Sequence, residues 1–163
     1  VDLGGYGGVH MSVVRRRATP ALADLACATA SHFRIVKASD EDAKAIFGWD
    51  NPAGSAHKLL ACGPDVTIIT LGARGVLVCT ARGQWHVPPL PARVVDTTGG
   101  GDTFMAGFLV EYLRSADPVR AAEWGSATAA SVIEQSGGVR LARMPTHAQV
   151  EKRVRQGYRQ HSQ

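Results

Sequence analysis

The most constraining feature of this sequence is the stretch from Val94 to Leu109, where three consecutive glycines stand between two aspartates. The two valines that open the stretch favour a short strand. Beyond Asp102, large apolar residues recur at the i, i+3 and i+4 intervals of a buried helix face, at Phe104, Met105, Phe108, Leu109, Tyr112 and Leu113. The pattern predicts a strand at Val94–Val95, a glycine turn, and a helix that starts near Asp102.

This order of elements places the glycines where a helix carries unpaired N–H groups and the positive end of its dipole. Because Gly99, Gly100 and Gly101 have no Cβ, the backbone there can turn sharply and approach a phosphate closely. Asp102 would stand beside that phosphate, where a carboxylate can accept a proton from an attacking hydroxyl. The glycines alone fit a flexible loop with an aspartate helix cap equally well.

Short apolar runs alternate with helix signals along the rest of the chain, which indicates an α/β layer sandwich with a largely parallel sheet. In such a fold a site lies at strand ends that face helix N-termini. The runs that predict strands are 33–36, 66–70, 76–79 and 84–87. The segments that predict helices begin at Thr19-Pro20, Ser39, Gly54, Pro118 and Pro145-Thr146.

Two shorter motifs have ordinary structural interpretations. Ser39 and Asp42 have the spacing of a capping box, with acids in the positive first turn of a helix. Gly72 and Gly75 lie between two predicted strands, where a tight turn of a hairpin is typical.

The residues from Asp96 to Asp102 resemble the Asp-Thr-x-Gly-Ala-Gly-Asp signature of the PfkB (ribokinase-like) carbohydrate kinases, with Gly100 where the family has alanine. The segment Val-Lys-Ala-Ser-Asp-Glu-Asp at 36–42 is similar to fructokinase-like members in particular. The resemblance implies a ribokinase-like fold and the ATP-dependent phosphorylation of a sugar hydroxyl. It also implies that the three glycines form the anion hole for the transferred phosphate and that Asp102 is the catalytic base.

The two shorter motifs gain roles from the same resemblance. Ser39 and Asp42 stand at the two ends of the family's Asn-x-x-Glu motif, where Asp42 would help to order magnesium through a bound water. Thr70, Gly72 and Gly75 match a Thr-x-Gly-x-x-Gly segment that lies against ATP in the family.

The resemblance also implies a site for a monovalent cation such as potassium. Gly137, Gly138 and Val139 would form one side of it, and backbone carbonyls near Asp96 and Thr98 would form the other.

Members of this family are substantially longer than 163 residues, and their N-terminal half supplies the sugar contacts and a small β-lid. We therefore expect residues 19–163 to be the C-terminal, nucleotide-binding part of a kinase domain, with the resemblance extending over about 33–148 and residues 1–18 unassigned. Activity of this part alone, a nucleotide-binding remnant without turnover, and an interaction module all stay open. So does the covering of the open sheet edge by a second copy in a homodimer.

Composition narrows the function classes. Hydrophobic residues make up 45% and charged residues 20% of the chain, and no apolar run approaches a membrane span or the core of a signal peptide, so we expect a cytoplasmic protein without membrane contact. The net charge is +4, but the basic C-terminal segment lacks interleaved aromatics, which favours a solvated helix face over nucleic-acid binding. A dinucleotide-dependent oxidoreductase would need a Gly-x-Gly-x-x-Gly after its first strand, and that motif is absent.

Cysteine and histidine usage indicates neither a disulfide framework nor a metal site. Cys27, Cys62 and Cys79 are odd in number and include no Cys-x-x-Cys pair, so we expect reduced thiols rather than a disulfide framework or a zinc site. The six histidines likewise lack the spacing of metal ligands.

Overall fold

The computed structural model describes residues 1–4, 19–137 and 139–158. They divide into two compact units, Val1–His86 and Val87–Gln163.

The first unit is built on a four-stranded sheet in the order β1-β2-β3-β4. Its strands are Ile35–Ser39 (β1), Val66–Thr70 (β2), Val76–Thr80 (β3) and Gly83–Val87 (β4). β1 and β2 are parallel, whereas β2 and β3 are antiparallel. The α/β class is therefore as predicted, but the sheet in the described residues is mixed, because only the long crossover between β1 and β2 permits a parallel pair.

Three helices of the first unit contribute to its core, namely α1 (Pro20–Ala30), α2 (Asp40–Phe47) and α3 (Pro52–Ala61). Each begins where the sequence supplies a capping side chain: Thr19, Ser39 and Asn51 each accept a hydrogen bond from a backbone N–H of the first turn. The core between helices and sheet contains Ala26, Ala30, Val36, Ala38, Ala43, Ile46, Ala56, Leu59, Ile69 and Cys79. Its many alanines let the helices approach closely.

The start of the first unit differs from the sequence prediction in two places. The first strand begins at Ile35 rather than at Phe33, whose side chain is 44% exposed. Residues 1–3 run beside β1 rather than forming a loop, because Asp2 makes an isolated parallel bridge with Lys37. Leu3 N–H donates to Lys37 O at 2.8 Å and Lys37 N–H donates to Val1 O at 2.9 Å. Residues 5–18 lie outside the described part of the chain.

The prediction that all three cysteines are reduced is wrong for two of them. Cys27 in α1 and Cys62 at the C-terminus of α3 form a disulfide with Cα atoms 5.3 Å apart. Their 35-residue separation in sequence conceals this proximity, which arises because both helices pack on the same core. Cys79 is a buried free thiol, and burial raises its pKa.

The second unit is helical, with α4 (Gly100–Ser115), α5 (Pro118–Ile133) and α6 (His147–Gly157). α4 and α5 approach closely through two glycines. A Cβ on Gly125 would lie 2.8 Å from Phe104 O, and one on Gly107 would overlap the Thr128 hydroxyl. The last helix begins where the sequence predicts, directly after Thr146. Thr146 and Gln149 form a capping box there, and Val150 and Val154 are buried.

Two predictions for the second unit are wrong. The buried face of α4 includes Phe104 and Phe108, but Leu109 and Leu113 are 39% and 85% exposed, because the glycine contact turns a different face toward α5. The predicted strand at Val94–Val95 is absent: the segment is irregular, with a bend at Val95, and pairs with no strand in the described residues. Val95 N–H donates instead to Ile133 O at the C-terminal end of α5.

None of the helices in the described residues combines the length and the hydropathy that crossing a bilayer requires.

Candidate active site

The glycine turn before α4 is wrapped as the sequence predicts. Gly99 is the N-cap residue and adopts a left-handed conformation with φ 77°, which glycine alone adopts without cost. Gly100 N–H donates to Thr97 O at 3.0 Å, and Thr103 donates to Gly99 O from both its N–H and its hydroxyl, each at 2.9 Å. These bonds fix the turn against the first turn of the helix.

The turn leaves two backbone donors open at the positive end of α4. No side chain caps this helix, and the N–H groups of Gly101 and Asp102 have no acceptor within residues 1–4, 19–137 and 139–158. Two such N–H groups at a helix start form a binding site for an anion. Gly100 contributes less than the sequence suggested, since its own N–H is bonded to Thr97 O.

Asp102 is the third residue of α4, and its side chain is exposed. Its carboxylate does not cap the helix, so the alternative interpretation of Asp102 as a helix cap does not hold. A solvent-accessible carboxylate beside two free N–H groups can accept a proton from a group that approaches the same turn.

Asp96 joins the glycine turn to the segment after α5. Its carboxylate accepts from Thr98 N–H and from Gly137 N–H, each at 2.9 Å. Val139 lies against the same turn, because a Cβ placed on Gly99 would overlap Val139 Cγ2. Of the residues predicted to surround a monovalent cation, Gly138 lies outside the described residues.

The candidate residues of the first unit meet at the carboxyl end of β1 and β2. Ser39 and Thr70 are opposite each other in the parallel pair. The capping box is confirmed: Asp42 Oδ2 accepts from Ser39 N–H at 3.2 Å and from its hydroxyl at 2.5 Å. Asp42 is only 7% exposed. Within the described residues, its Oδ1 accepts no hydrogen bond from a side chain or backbone group.

Gly72 and Gly75 form the predicted turn between β2 and β3, with φ 58° and 92°. Leu71 N–H donates to Gly75 O at 2.8 Å and closes the turn. Within it, Arg74 binds Asp40 at 2.5 Å, so the turn is tied to the first residue of α2. The described residues contain no cluster of three or more His, Cys, Asp or Glu side chains that would hold a metal without further ligands.

Comparisons with known proteins identify the family of the chain. The family model for pfkB family carbohydrate kinases matches residues 5–145, which begins earlier than the resemblance visible from residue 33. The chain belongs to the PfkB family of carbohydrate kinases.

Among curated relatives in this family, an ATP-dependent 6-phosphofructokinase of Thermoanaerobacterium thermosaccharolyticum is 34% identical over 64% of this chain and 33% of its own length. An aminoimidazole riboside kinase of Salmonella typhimurium is 36% identical over 60% of this chain and 30% of its own length. The chain therefore spans about a third of the length of these relatives.

A solved structure, the aminoimidazole riboside kinase from Salmonella enterica complexed with aminoimidazole riboside and an ATP analog, superimposes with a TM-score of 0.71 and 29% identity. It matches 82% of this chain and 46% of its own length. The ribokinase-like fold is thereby confirmed.

Two ion pairs of the structure were not predicted from the sequence. Lys37 is buried in β1 and binds Asp2 at 2.9 Å; a lysine at an inward position of an apolar strand was the available signal. Arg153 of α6 binds Glu134 through two bonds of 2.8 Å. No sequence pattern indicates this pair, because its members are 19 residues apart and Arg153 lies among other basic residues.

Proposed function

We propose that this PfkB-family chain is the nucleotide-binding part of a kinase that transfers the terminal phosphoryl group of ATP to a hydroxyl of a sugar or nucleoside. The observation that carries the proposal is the pair of open N–H groups of Gly101 and Asp102, directly beside the exposed Asp102 carboxylate. An anion site and a proton acceptor in one helix turn are what phosphoryl transfer requires of a protein.

In this reaction the acceptor hydroxyl gives its proton to Asp102 as its oxygen forms a bond to the terminal phosphorus. The bond from that phosphorus to the bridging oxygen breaks, and ADP leaves with the electron pair. The N–H groups at the start of α4 and its helix dipole stabilise charge on the transferred group. The three glycines of the turn are the predicted anion hole, and Thr70, Gly72 and Gly75 are the predicted nucleotide contacts.

Magnesium and a monovalent cation belong to the same proposal. Magnesium neutralises phosphate charge in kinases, and Asp42 Oδ1 fits a contact with it through water. Asp96 fits a positioning role better than that of a magnesium ligand, because two backbone N–H groups already bind its carboxylate. For potassium, the backbone carbonyls near Asp96 and Thr98 are the proposed donors on one side of the site, and the sequence assigns Gly138 to the other side.

The acceptor is proposed only as a class. The two curated relatives are a 6-phosphofructokinase and an aminoimidazole riboside kinase. Their names refer to different acceptors, although both sequences are similar to this chain. The proposal of a fructokinase-like acceptor depends only on the amino-acid sequence of residues 36–42.

A second candidate function, a nucleotide-binding remnant without turnover, is favoured by a specific observation. Below Asp102 on the same side of α4, at helical spacing, lie the exposed residues Ala106, Leu109, Val110 and Leu113. The chain matches less than half of the solved kinase that it resembles. We propose that the remaining part of a PfkB kinase, or the second copy of a homodimer, covers this apolar stripe and supplies the acceptor contacts.

The cytoplasmic location that the sequence suggested also stays a proposal. The Cys27–Cys62 disulfide weighs against it, since such bonds are rare in a reducing cytosol.

A screen for acceptor-dependent ADP release separates the two functions. Fructose, ribose, ketodeoxygluconate and nucleosides are offered with Mg-ATP to the wild type and to Asp102→Asn, and ATP binding is measured on the same samples. A kinase releases ADP with one class of acceptor, and Asp102→Asn slows this release by about 100-fold or more with little change in ATP affinity. ATP binding without phosphorylation of any acceptor would establish the remnant instead.

A further inference from the structure

The segment that leads into the glycine turn is held by side chains from distant parts of the second unit. Residues 91–96 form neither strand nor helix. Arg93 N–H donates to Glu134 Oε1 at 3.2 Å, and Pro91 O accepts from Arg153 Nη2 at 3.0 Å. Because Arg93, Val94 and Val95 are exposed, hydrogen bonds rather than burial tie this segment to the rest of the second unit.

Arg153 and Glu134 are the centre of this arrangement. Arg153 donates one bond from each terminal nitrogen to the two oxygens of Glu134, both at 2.8 Å. The side chains are only 23% and 32% exposed. The two hydrogen bonds from Arg153 hold the pKa of the Glu134 carboxyl below its usual range. Bidentate, partly buried pairs of this kind fix geometry as well as adding stability.

The same network continues into the phosphate-binding turn. Ile133, which precedes Glu134, accepts through its carbonyl from Val95 N–H at 2.8 Å and from Asp96 N–H at 3.1 Å. Asp96 then holds Thr98 N–H. A continuous path therefore connects α6 to the turn. Each link in it is either a hydrogen bond or the peptide bond between two neighbouring residues.

We propose that Arg153 and Glu134 are positioning residues of the phosphate-binding turn, through which the C-terminal helix α6 sets the position of the Gly101 and Asp102 N–H groups. The proposal rests on the proposed function for its effect on ATP. When binding groups are misplaced by about 1 Å, ligand affinity and reaction rate both fall strongly. The network therefore affects ATP binding even though neither side chain contacts the turn.

The matched control lies on the same helix. Arg155 forms an ion pair with Glu151 one turn earlier, but its side chain is 61% exposed. In the part of the chain that the structure describes, neither side chain hydrogen-bonds to residues 91–96. Removing Arg155 changes the charge of α6 by the same amount as removing Arg153. Any difference between Arg153→Ala and Arg155→Ala therefore reports the network and not the loss of a positive charge.

Two measurements on the full chain test the proposal. The first is the dissociation constant for ATP, which we expect to rise about 10-fold in Arg153→Ala and less than 2-fold in Arg155→Ala. The second is hydrogen exchange of individual amides. In Arg153→Ala we expect about 10-fold faster exchange at Val95, Asp96 and Gly137, with the amides in the middle of α5 unchanged. A residue that only stabilised the fold would accelerate both groups of amides together.

Two further variants test the route. Glu134→Ala combined with Arg153→Ala is expected to be no weaker in ATP binding than either alone, because both act through the same bonds. Pro91 and Arg153 line an open cavity of about 620 Å³, so methylguanidinium is expected to reach the vacated site and to restore part of the ATP affinity of Arg153→Ala but not of Arg155→Ala. If Arg153→Ala does not fold, Arg153→Lys replaces it, since lysine keeps the charge and cannot form both bonds.

Equal exchange rates and ATP affinities in the Arg153 and Arg155 variants would overturn the proposal, as would equal acceleration of loop and core amides. If the wild type bound no ATP, the proposed function would fail. The exchange rates would then decide the positioning role by themselves.

Discussion

Replacement of Gly99 by alanine tests whether the turn before α4 is built on a residue without a side chain. Gly99 has φ 77°, and a left-handed conformation costs alanine about 1–2 kcal/mol. The added Cβ would also overlap Val139 Cγ2. Val139 is 49% exposed and has room to move, so displacing it from its rotamer adds about 0.5–1.5 kcal/mol. We expect Gly99→Ala to lower the free energy of unfolding by about 2–3 kcal/mol.

Two controls separate these contributions. Gly72 has φ 58°, and no atom lies within 4 Å of the position of its Cβ, so Gly72→Ala should cost only the conformational part, about 1–2 kcal/mol. Val139→Ala in the Gly99→Ala background should remove the overlap and recover about 1 kcal/mol. Urea denaturation of the four proteins, followed by tryptophan fluorescence and circular dichroism, provides the free energies.

The account also predicts weaker binding of ATP by Gly99→Ala, about 10-fold or more, since the displaced turn misplaces the N–H groups behind it. A Gly99→Ala protein as stable as Gly72→Ala and with wild-type ATP affinity would refute this reasoning.

Two further predictions concern buried polar groups of the second unit. Arg120 binds Oε1 of Glu111, whose carboxylate is 2% exposed and whose Oε2 has no hydrogen-bond partner in the described residues. Arg120→Ala should therefore cost about 3 kcal/mol in thermal or urea unfolding, and a cost below 1 kcal/mol would contradict the burial of Glu111. Burial raises the pKa of Tyr158 from 10 to about 12, while its hydroxyl donates to Pro88 O at 2.9 Å. Because the folded state favours the neutral phenol, its contribution to stability is complete below pH 10 and is lost as pH rises toward 12. Tyr158→Phe should remove that alkaline loss of stability, and a tyrosinate absorbance that rises at the ordinary pKa would show that Tyr158 is not buried.

Local chemistry made much of this structure predictable from the sequence. The side chains of Thr19, Ser39 and Thr146 each accept a hydrogen bond from a backbone N–H three residues further along, so local sequence is enough to predict these helix caps. The turn between Gly72 and Gly75 is predictable for the same reason. The glycine turn and the start of α4 were readable for the same reason.

The features that the sequence did not predict depend on distant neighbours. Cys27 and Cys62 meet only because two helices share a core. Leu113 has an ideal position in an apolar repeat, yet Gly107 decides which face of α4 is buried. Arg153 resembles its basic neighbours in sequence and differs from them only in having Glu134 within reach. Periodicity predicts that a helix has an apolar face, but only packing decides what covers it.

The most direct test of the central claim is an NMR titration of the backbone amides with ATP. The account predicts that the resonances of Gly101 and Asp102 move downfield and saturate together with ATP binding, while adenosine, which has no phosphate, leaves them in place. Binding of ATP that leaves both resonances unmoved would show that the phosphates lie elsewhere, and the assignment of this turn as the phosphate site would be wrong.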